Sequence, residues 1–278
     1  MSSTMSRPLS RPASRPLSRP LSDSMTMLRR NLRHALRYPA MSISVLAMPV
    51  VMLLLFVYVF GGALGTGVGP MGGAGGDTDY IDYAAPGIIL MAATSGSLAM
   101  AVAISVDMTA GIINRFRTMA ISRSSVLIGH VVGCVLQTLI TIALVIGLAL
   151  AMGFRPNATA VEWLAVLGLL ALVTVALTWL AAAMGMACKS PETASNAPMP
   201  LQFLPFLGSA IVPTDSMPTA LRWFAEYQPY TPIIETLRGL LMGTEIGNSG
   251  VIAVAWCVGL TLLGFLWARA LFKREPRR

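Results

Sequence analysis

Six stretches of the chain, residues 42–60, 85–106, 126–152, 163–187, 193–212 and 250–271, are almost wholly apolar, and none holds an Asp, Glu, Lys or Arg near its middle. Each is close to the roughly 20 residues that a helix needs to cross the hydrocarbon layer of a bilayer. Backbone N–H and C=O groups in that layer must bond within the segment, so the spans are expected to be helices. A hydrophobic content of 55%, a charged content of 12% and a mean hydropathy of +0.70 agree and exclude an ordinary soluble domain. The expected fold is all-α, polytopic, with six transmembrane helices.

The polar residues of these stretches are Ser95, Ser97, Gln137, Thr138, Thr141, Thr174, Thr178, Asn196 and Gln202. Most are expected to bond a neighbouring helix or their own backbone. Carriers driven by protons or sodium ordinarily keep carboxylates inside the membrane. Their absence from the span centres points to an energy source outside this chain.

The net charge of +8 does not mark a nucleic-acid binder, because the basic residues flank apolar runs and no nucleic-acid module accompanies them. It marks orientation. Without the distant tail arginines, 13 Lys and Arg fall on the side of the termini and 3, Arg155, Arg222 and Arg238, on the other. Both termini are therefore expected in the cytoplasm. Loop 61–84 lacks Lys and Arg and carries Asp77, Asp79 and Asp82, as an outer loop would. Cys134, Cys188 and Cys257 have no CxxC spacing, so neither a disulfide framework nor a metal site is indicated. His34 and His130 have no carboxylate neighbour in the sequence and are assigned no chemistry.

From the N-terminus, residues 6–22 repeat SRPL, with one SRPA, at a period of four. Proline in every repeat and little apolar surface predict disorder for a tail spanning 1–24. No cleavable signal peptide is read there; a start at Met25 or Met27 is an equally good reading. Residues 25–38 place Leu28, Leu32, Ala35 and Leu36 on one stripe and Arg29, Arg33 and Arg37 on another, before Pro39. Such a helix is expected to lie in the cytoplasmic interface, arginines toward lipid headgroups. A single transmembrane domain would then occupy 25–278.

Two segments outside the spans have more structure than a connection needs. In residues 107–125, Ile112, Ile113, Phe116 and Ala120 recur at helical spacing opposite Asn114, Arg115, Arg117 and Thr118. A short amphipathic helix there would take a push from a soluble partner and pass it to both adjoining spans. The plain alternative is a basic loop that only fixes topology. Residues 213–248 predict two short helices on the outer side. Ser216 is the expected cap of the first. The second is expected to use Thr231 as cap and Pro232 at its first position, with Ile233, Ile234, Leu237, Leu240 and Leu241 as apolar face and Gly243 as stop. Glu235 and Arg238, three apart, are expected to pair across it.

This order of interfacial helix, six spans, amphipathic loop and outer helix pair resembles the membrane subunit of a type-2 ABC exporter, and more closely the daunorubicin-resistance drug-efflux permeases of actinobacteria. Three patterns carry the resemblance. The first is Asp107, Gly111, Ile112, Arg115, Phe116 and Arg117 with Ile121-Ser122-Arg123. The second is Lys189-Ser190-Pro191-Glu192 with Ala194. The third is Ile211-Val212-Pro213, Met217-Pro218, Trp223, Pro229, Thr231-Pro232 and Leu237-Arg238-Gly239. Asn114, His130 and Gln228 depart from the usual family residues.

The resemblance implies a permease of the bacterial plasma membrane that pairs with a second copy or a paralogue and is not itself an enzyme. Because the chain has no GxxxxGK[ST] sequence, ATP and Mg would bind a separate ABC ATPase subunit. Phe116 would anchor in that subunit's groove, Arg115 and Arg117 would be polar contacts, and Asp107 and Arg123 would end the lever. Pro213, Pro229, Thr231, Pro232, Glu235 and Arg238 would belong to an outer re-entrant pair. The implied cargo is a hydrophobic or amphipathic drug. A proton-coupled carrier, a lipid or polysaccharide exporter, a membrane enzyme and a non-transporting scaffold are the alternatives.

The orientation is testable directly. Single cysteines in residues 72–79, in a chain lacking Cys134, Cys188 and Cys257, should react with an impermeant thiol reagent from outside. Protection there with labelling at Arg117→Cys would reverse it.

Overall fold

In a computed structural model the described residues are 39–59, 77–109, 123–214 and 217–273. Every regular element among them is helical. Helix α1, Pro39–Leu54, continues into a π-helical turn, Leu55–Val59. Pro49 within α1 has no N–H to donate, which weakens the ladder ahead of that turn. Helix α2, Asp77–Thr109, has 33 residues and so runs about 50 Å, more than the bilayer core requires.

Helix α3 is Arg123–Ala151 and α4 is Ala160–Ala187. The start of α4 is fixed by a reciprocal cap, in which Thr159 N donates to Glu162 Oε2 (2.6 Å) and Glu162 N donates to Thr159 Oγ1 (3.4 Å). Ser190 and Thr193 cap the short α5, Pro191–Asn196, in the same way. Then come α6, Met199–Phe203, a 3-10 turn, Leu204–Leu207, α7, Thr219–Tyr227, α8, Tyr230–Met242, and α9, Ser249–Lys273.

Among the described residues, four helices are long and apolar enough to cross a membrane: Tyr80–Thr109, Leu127–Ala151, Ala160–Ala187 and Ser249–Leu271. The fifth apolar stretch, expected as one span over 193–212, is instead broken into α5, α6 and the 3-10 turn. Pro198, Pro200 and Pro205 explain the break, since each removes a donor and crowds the preceding turn. The interfacial helix at 25–38 and the SRPL tail lie outside the described residues.

Helix α2 is the centre of the body. Its crossing stretch is 76% buried against 22% for that of α9, so α2 is shielded by protein while α9 presents Val251, Leu262 and Leu266 outward. Around the first half of α2 a core of Ile81, Ile88, Ile142, Leu170, Ile234 and Leu237 gathers α3, α4 and α8. Around its second half Met100, Ala101, Ile104, Val131, Trp179 and Met186 form another. The hydroxyls of Thr94, Ser97, Thr141 and Thr174 donate to carbonyls four residues back, as expected of polar side chains in apolar helices.

Small residues set the closest approaches. A Cβ at Gly264 on α9 would lie 2.7 Å from Leu180 N and 2.8 Å from the Trp179 carbonyl carbon; one at Gly87 on α2 would lie 2.7 Å from the Ala210 backbone. Backbone cannot yield as a side chain can, so these glycines let the helices touch. Gly259, on the same helix as Gly264, faces open space. Gly264→Val should therefore lower the melting temperature of the detergent-solubilised protein by an overpacking cost of about 1–3 kcal/mol, while Gly259→Val should leave it nearly unchanged. Equal melting temperatures would refute this packing.

Candidate functional site

Helix α8 packs along the first half of α2, and α7 leads into it. Helix α7 buries only Ala225 and exposes Leu221, Trp223, Phe224 and Tyr227, with the Trp223 and Tyr227 rings 5.3 Å apart. Arg222 and Glu226 pair along its surface at 2.7 Å. The chain leaves α7 extended at Gln228, and Pro229 occupies the cap position of α8. The helix thus starts at Tyr230, earlier than the expected Thr231 cap, and Thr231 and Pro232 lie buried in its first turn. Gly243 ends it at φ 70°, ψ 25°, the left-handed conformation a glycine stop needs. Ile233, Ile234, Leu237 and Leu241 are buried, with Leu240 partly so. Pro213 is half-buried just after the broken fifth stretch; Ser216 lies outside the described residues.

Arg238 departs from the expected pairing. Its Nη2 donates to Ser209 O (2.7 Å) and Tyr83 O (3.2 Å), and its guanidinium carbon lies 3.8 Å from the centre of the Tyr83 ring. Glu235 accepts instead from Ser249 Oγ at 3.1 Å, tying α8 to α9. The helix turn places Arg238 on the face with Ile234 and Leu241, where carbonyls from two other segments compete successfully with a partly exposed carboxylate. Only 8% of Arg238 is exposed. Burial lowers its pKa from the ordinary arginine value, and Tyr83 and Glu235 oppose that shift.

The tyrosines extend the junction. Tyr83 OH donates to Ser209 O at 3.2 Å, and the hydroxyls of Thr94 and Tyr230 lie within hydrogen-bond distance at 3.3 Å. The connection from α3 to α4 joins through Asn157 N to Leu241 O (2.9 Å) and Arg155 N to Asp82 Oδ1 (3.1 Å). Pro229, Thr231, Pro232, Glu235 and Arg238 thus run along α8 beside the first half of α2, from Thr94 opposite Tyr230 to Tyr83 opposite Arg238, with Tyr83, Ser209 and Tyr230 as residues that sequence reasoning missed.

At the other end, Asp107 Oδ2 on the last turns of α2 lies 3.1 Å from His130 Nε2 on α3. The sequence gives His130 no carboxylate neighbour, but the fold does. Both residues flank segment 107–125 on helices that return beside each other, and that hairpin arrangement is the signal that would have found the pair. Arg123 is the first residue of α3. Gly111, Arg115, Phe116 and Arg117 lie outside the described residues. Among the described residues no three His, Cys, Asp or Glu side chains group to hold a metal ion. What the arrangement offers is mechanical: two clamped helix ends, with α2 running between them.

The family profile of the ABC-2 type transporter matches residues 23–242. Among curated proteins, the chain is 27% identical over 229 residues to the daunorubicin resistance ABC transporter permease protein DrrB1 of Streptomyces coeruleorubidus, covering 81% of this chain and 74% of that one. It is 22% identical over 178 residues, 64% of each chain, to the probable doxorubicin resistance ABC transporter permease protein DrrC of Mycobacterium tuberculosis.

Arg238→Met should remove the guanidinium's bonds to Ser209 O and Tyr83 O and its contact with the Tyr83 ring, and cost about 1–3 kcal/mol, read as a lower melting temperature. Arg238→Lys should not restore it, because an ammonium cannot reproduce the planar, two-armed contact. Glu226→Gln, breaking the exposed pair on α7, should cost under about 0.5 kcal/mol. Equal stability of Arg238→Met and Glu226→Gln would contradict the junction.

Proposed function

The chain belongs to the ABC-2 type transporter family, and from that premise we propose that it is the permease subunit of an ATP-driven exporter of hydrophobic or amphipathic drugs. The observation that carries this is the family match over 23–242, a range that takes in α1 through α8. The cargo class rests on the drug-resistance names of its relatives. In this reading the chain carries six spans, the broken fifth stretch and α1 completing the four continuous ones. Residues 1–24 are a tail and 25–278 the transmembrane domain. It lies in the bacterial inner membrane with both termini cytoplasmic, and it works with a second permease, its own copy or a paralogue.

ATP and Mg bind a separate ATPase subunit under the membrane, and this permease catalyses no reaction. When ATP closes the ATPase pair, segment 107–125, with Gly111 within it, takes the push: Phe116 seats in the partner, Arg115 and Arg117 make polar contacts, and Asp107 and Arg123 mark its ends. The Asp107–His130 contact holds α2 and α3 together so that both move. Because α2 is the most buried of the four continuous crossing helices among the described residues, its displacement reaches the outer pair through Tyr83, Ser209 and Arg238. A rigid element biased at one end and read at the other is how such switches work.

Phe116→Asp tests this reading. It should sharply reduce recovery of the ATPase with the permease and abolish drug efflux, because a buried aromatic anchors such contacts, while membrane abundance and topology stay normal. Normal ATPase recovery and normal efflux in that variant would end the coupling assignment.

A further inference from the structure

Helices α3 and α4 both pack on α2, yet toward the capped end of α4 they do not close on each other. Between them runs a groove of about 540 Å³, lined by aliphatic side chains, Gly168 and one indole, all from these two helices. Leu139, Ala143 and Ile146 step along one wall and Trp163, Leu167 and Ala171 along the other. Each set recurs about once per helical turn, so the groove runs lengthwise along the helix axes.

Its depth follows from the same residues. Trp163 is the fourth and Ala171 the twelfth of the 28 residues of α4, which puts the groove about 5–17 Å from the start of a helix about 42 Å long. The hydrocarbon layer takes about 30 Å of that length. With the excess shared between the two ends, Trp163 falls at the interface, where tryptophan gathers, and the rest of the groove lies in the acyl region of one leaflet. The same stretches expose Ile140, Leu144 and Leu164, so the groove is continuous with a surface that lipid covers. A Cβ at Gly87, Gly185 or Gly264 would strike backbone of another segment within 3 Å, and those glycines admit close packing. At Gly168 a Cβ would meet nothing within 4 Å. The missing side chain there leaves space instead of closing a contact, although glycine weakens a helix.

We propose that this groove is a binding site for an acyl chain of a membrane phospholipid, which lies between α3 and α4 and completes their packing. An empty groove forfeits dispersion contacts on both walls, and an extended hydrocarbon chain aligned with the membrane normal matches its direction and its chemistry. A chain on the exposed face of α9 meets protein on one side, whereas a chain in the groove meets it on two and is held longer. The site depends on α3 and α4 crossing the bilayer and stands apart from the export reading.

The test places the full-length permease in nanodiscs of palmitoyl-oleoyl phosphatidylglycerol doped with a phospholipid that carries a photoreactive diazirine on its acyl chain. Labelling within residues 139–146 and 163–171 should exceed that around Leu262 and Leu266, which face lipid on α9. Gly168→Leu puts a side chain into the open groove and should abolish the excess at unchanged membrane abundance. Gly147→Leu also meets nothing within 4 Å but lies off the groove wall, and should keep the excess. Ala143→Leu fills the groove from the opposite wall and should act as Gly168→Leu does, which separates blockage from damage to one helix. Labelling no stronger than on α9 would overturn the site, as would an excess that survives both filling variants. Loss of the excess on adding doxorubicin would overturn the lipid assignment in favour of cargo. An Ala143→Cys disulfide between two copies, in a chain lacking Cys134, Cys188 and Cys257 and with the groove unlabelled, would overturn it in favour of a second permease.

Discussion

A guanidinium held against one aromatic face and two backbone carbonyls fixes the end of this molecule where α2 begins. An unpaired charge taken out of water costs several kcal/mol, so a buried arginine persists only where its donors are satisfied and its charge is screened. Ser209 O and Tyr83 O supply the acceptors and the Tyr83 ring supplies the face. The three groups come from α8, from the residues that follow the 3-10 turn within the broken fifth stretch, and from α2. None of these connections follows from hydrophobic burial, which is non-directional and weak as a specifier between helices in lipid. Helix α8 therefore has a defined seat on the central helix.

The opposite end has a lighter clamp, and the contrast bears on function. The Asp107–His130 contact is partly exposed, at 23% and 21% for its side chains, and water can compete for it. Between the two lies a helix whose packing depends on backbone approaching backbone at Gly87 and, through Ala101, at Gly185. Contacts of that kind leave no slack between backbones, so α2 is held closely against its neighbours at both places.

The apolar runs at 85–106, 126–152, 163–187 and 250–271 are legible in the sequence because membrane crossing is a property of local composition, and each coincides with one continuous helix to within a residue at its ends. The run at 193–212 misleads for the same reason, since average hydropathy does not register Pro198, Pro200 and Pro205. Gly243 is legible as a stop because the left-handed conformation selects glycine locally. The fate of Arg238 is not: spacing along a helix sees Glu235, whereas the partners that win are Ser209 and Tyr83, 29 and 155 residues away. His130 gives no signal in the sequence because its carboxylate arrives only when α2 and α3 fold back together.

The central claim is that export is driven by a partner's ATP hydrolysis, with this chain supplying the path. Its most direct test is drug uptake into inside-out proteoliposomes holding the permease and its ATPase, with ATP and the proton gradient varied independently. The account predicts uptake that requires ATP, stops with vanadate and survives collapse of the gradient at constant ATP. Uptake driven by the gradient alone, without hydrolysis, would contradict it.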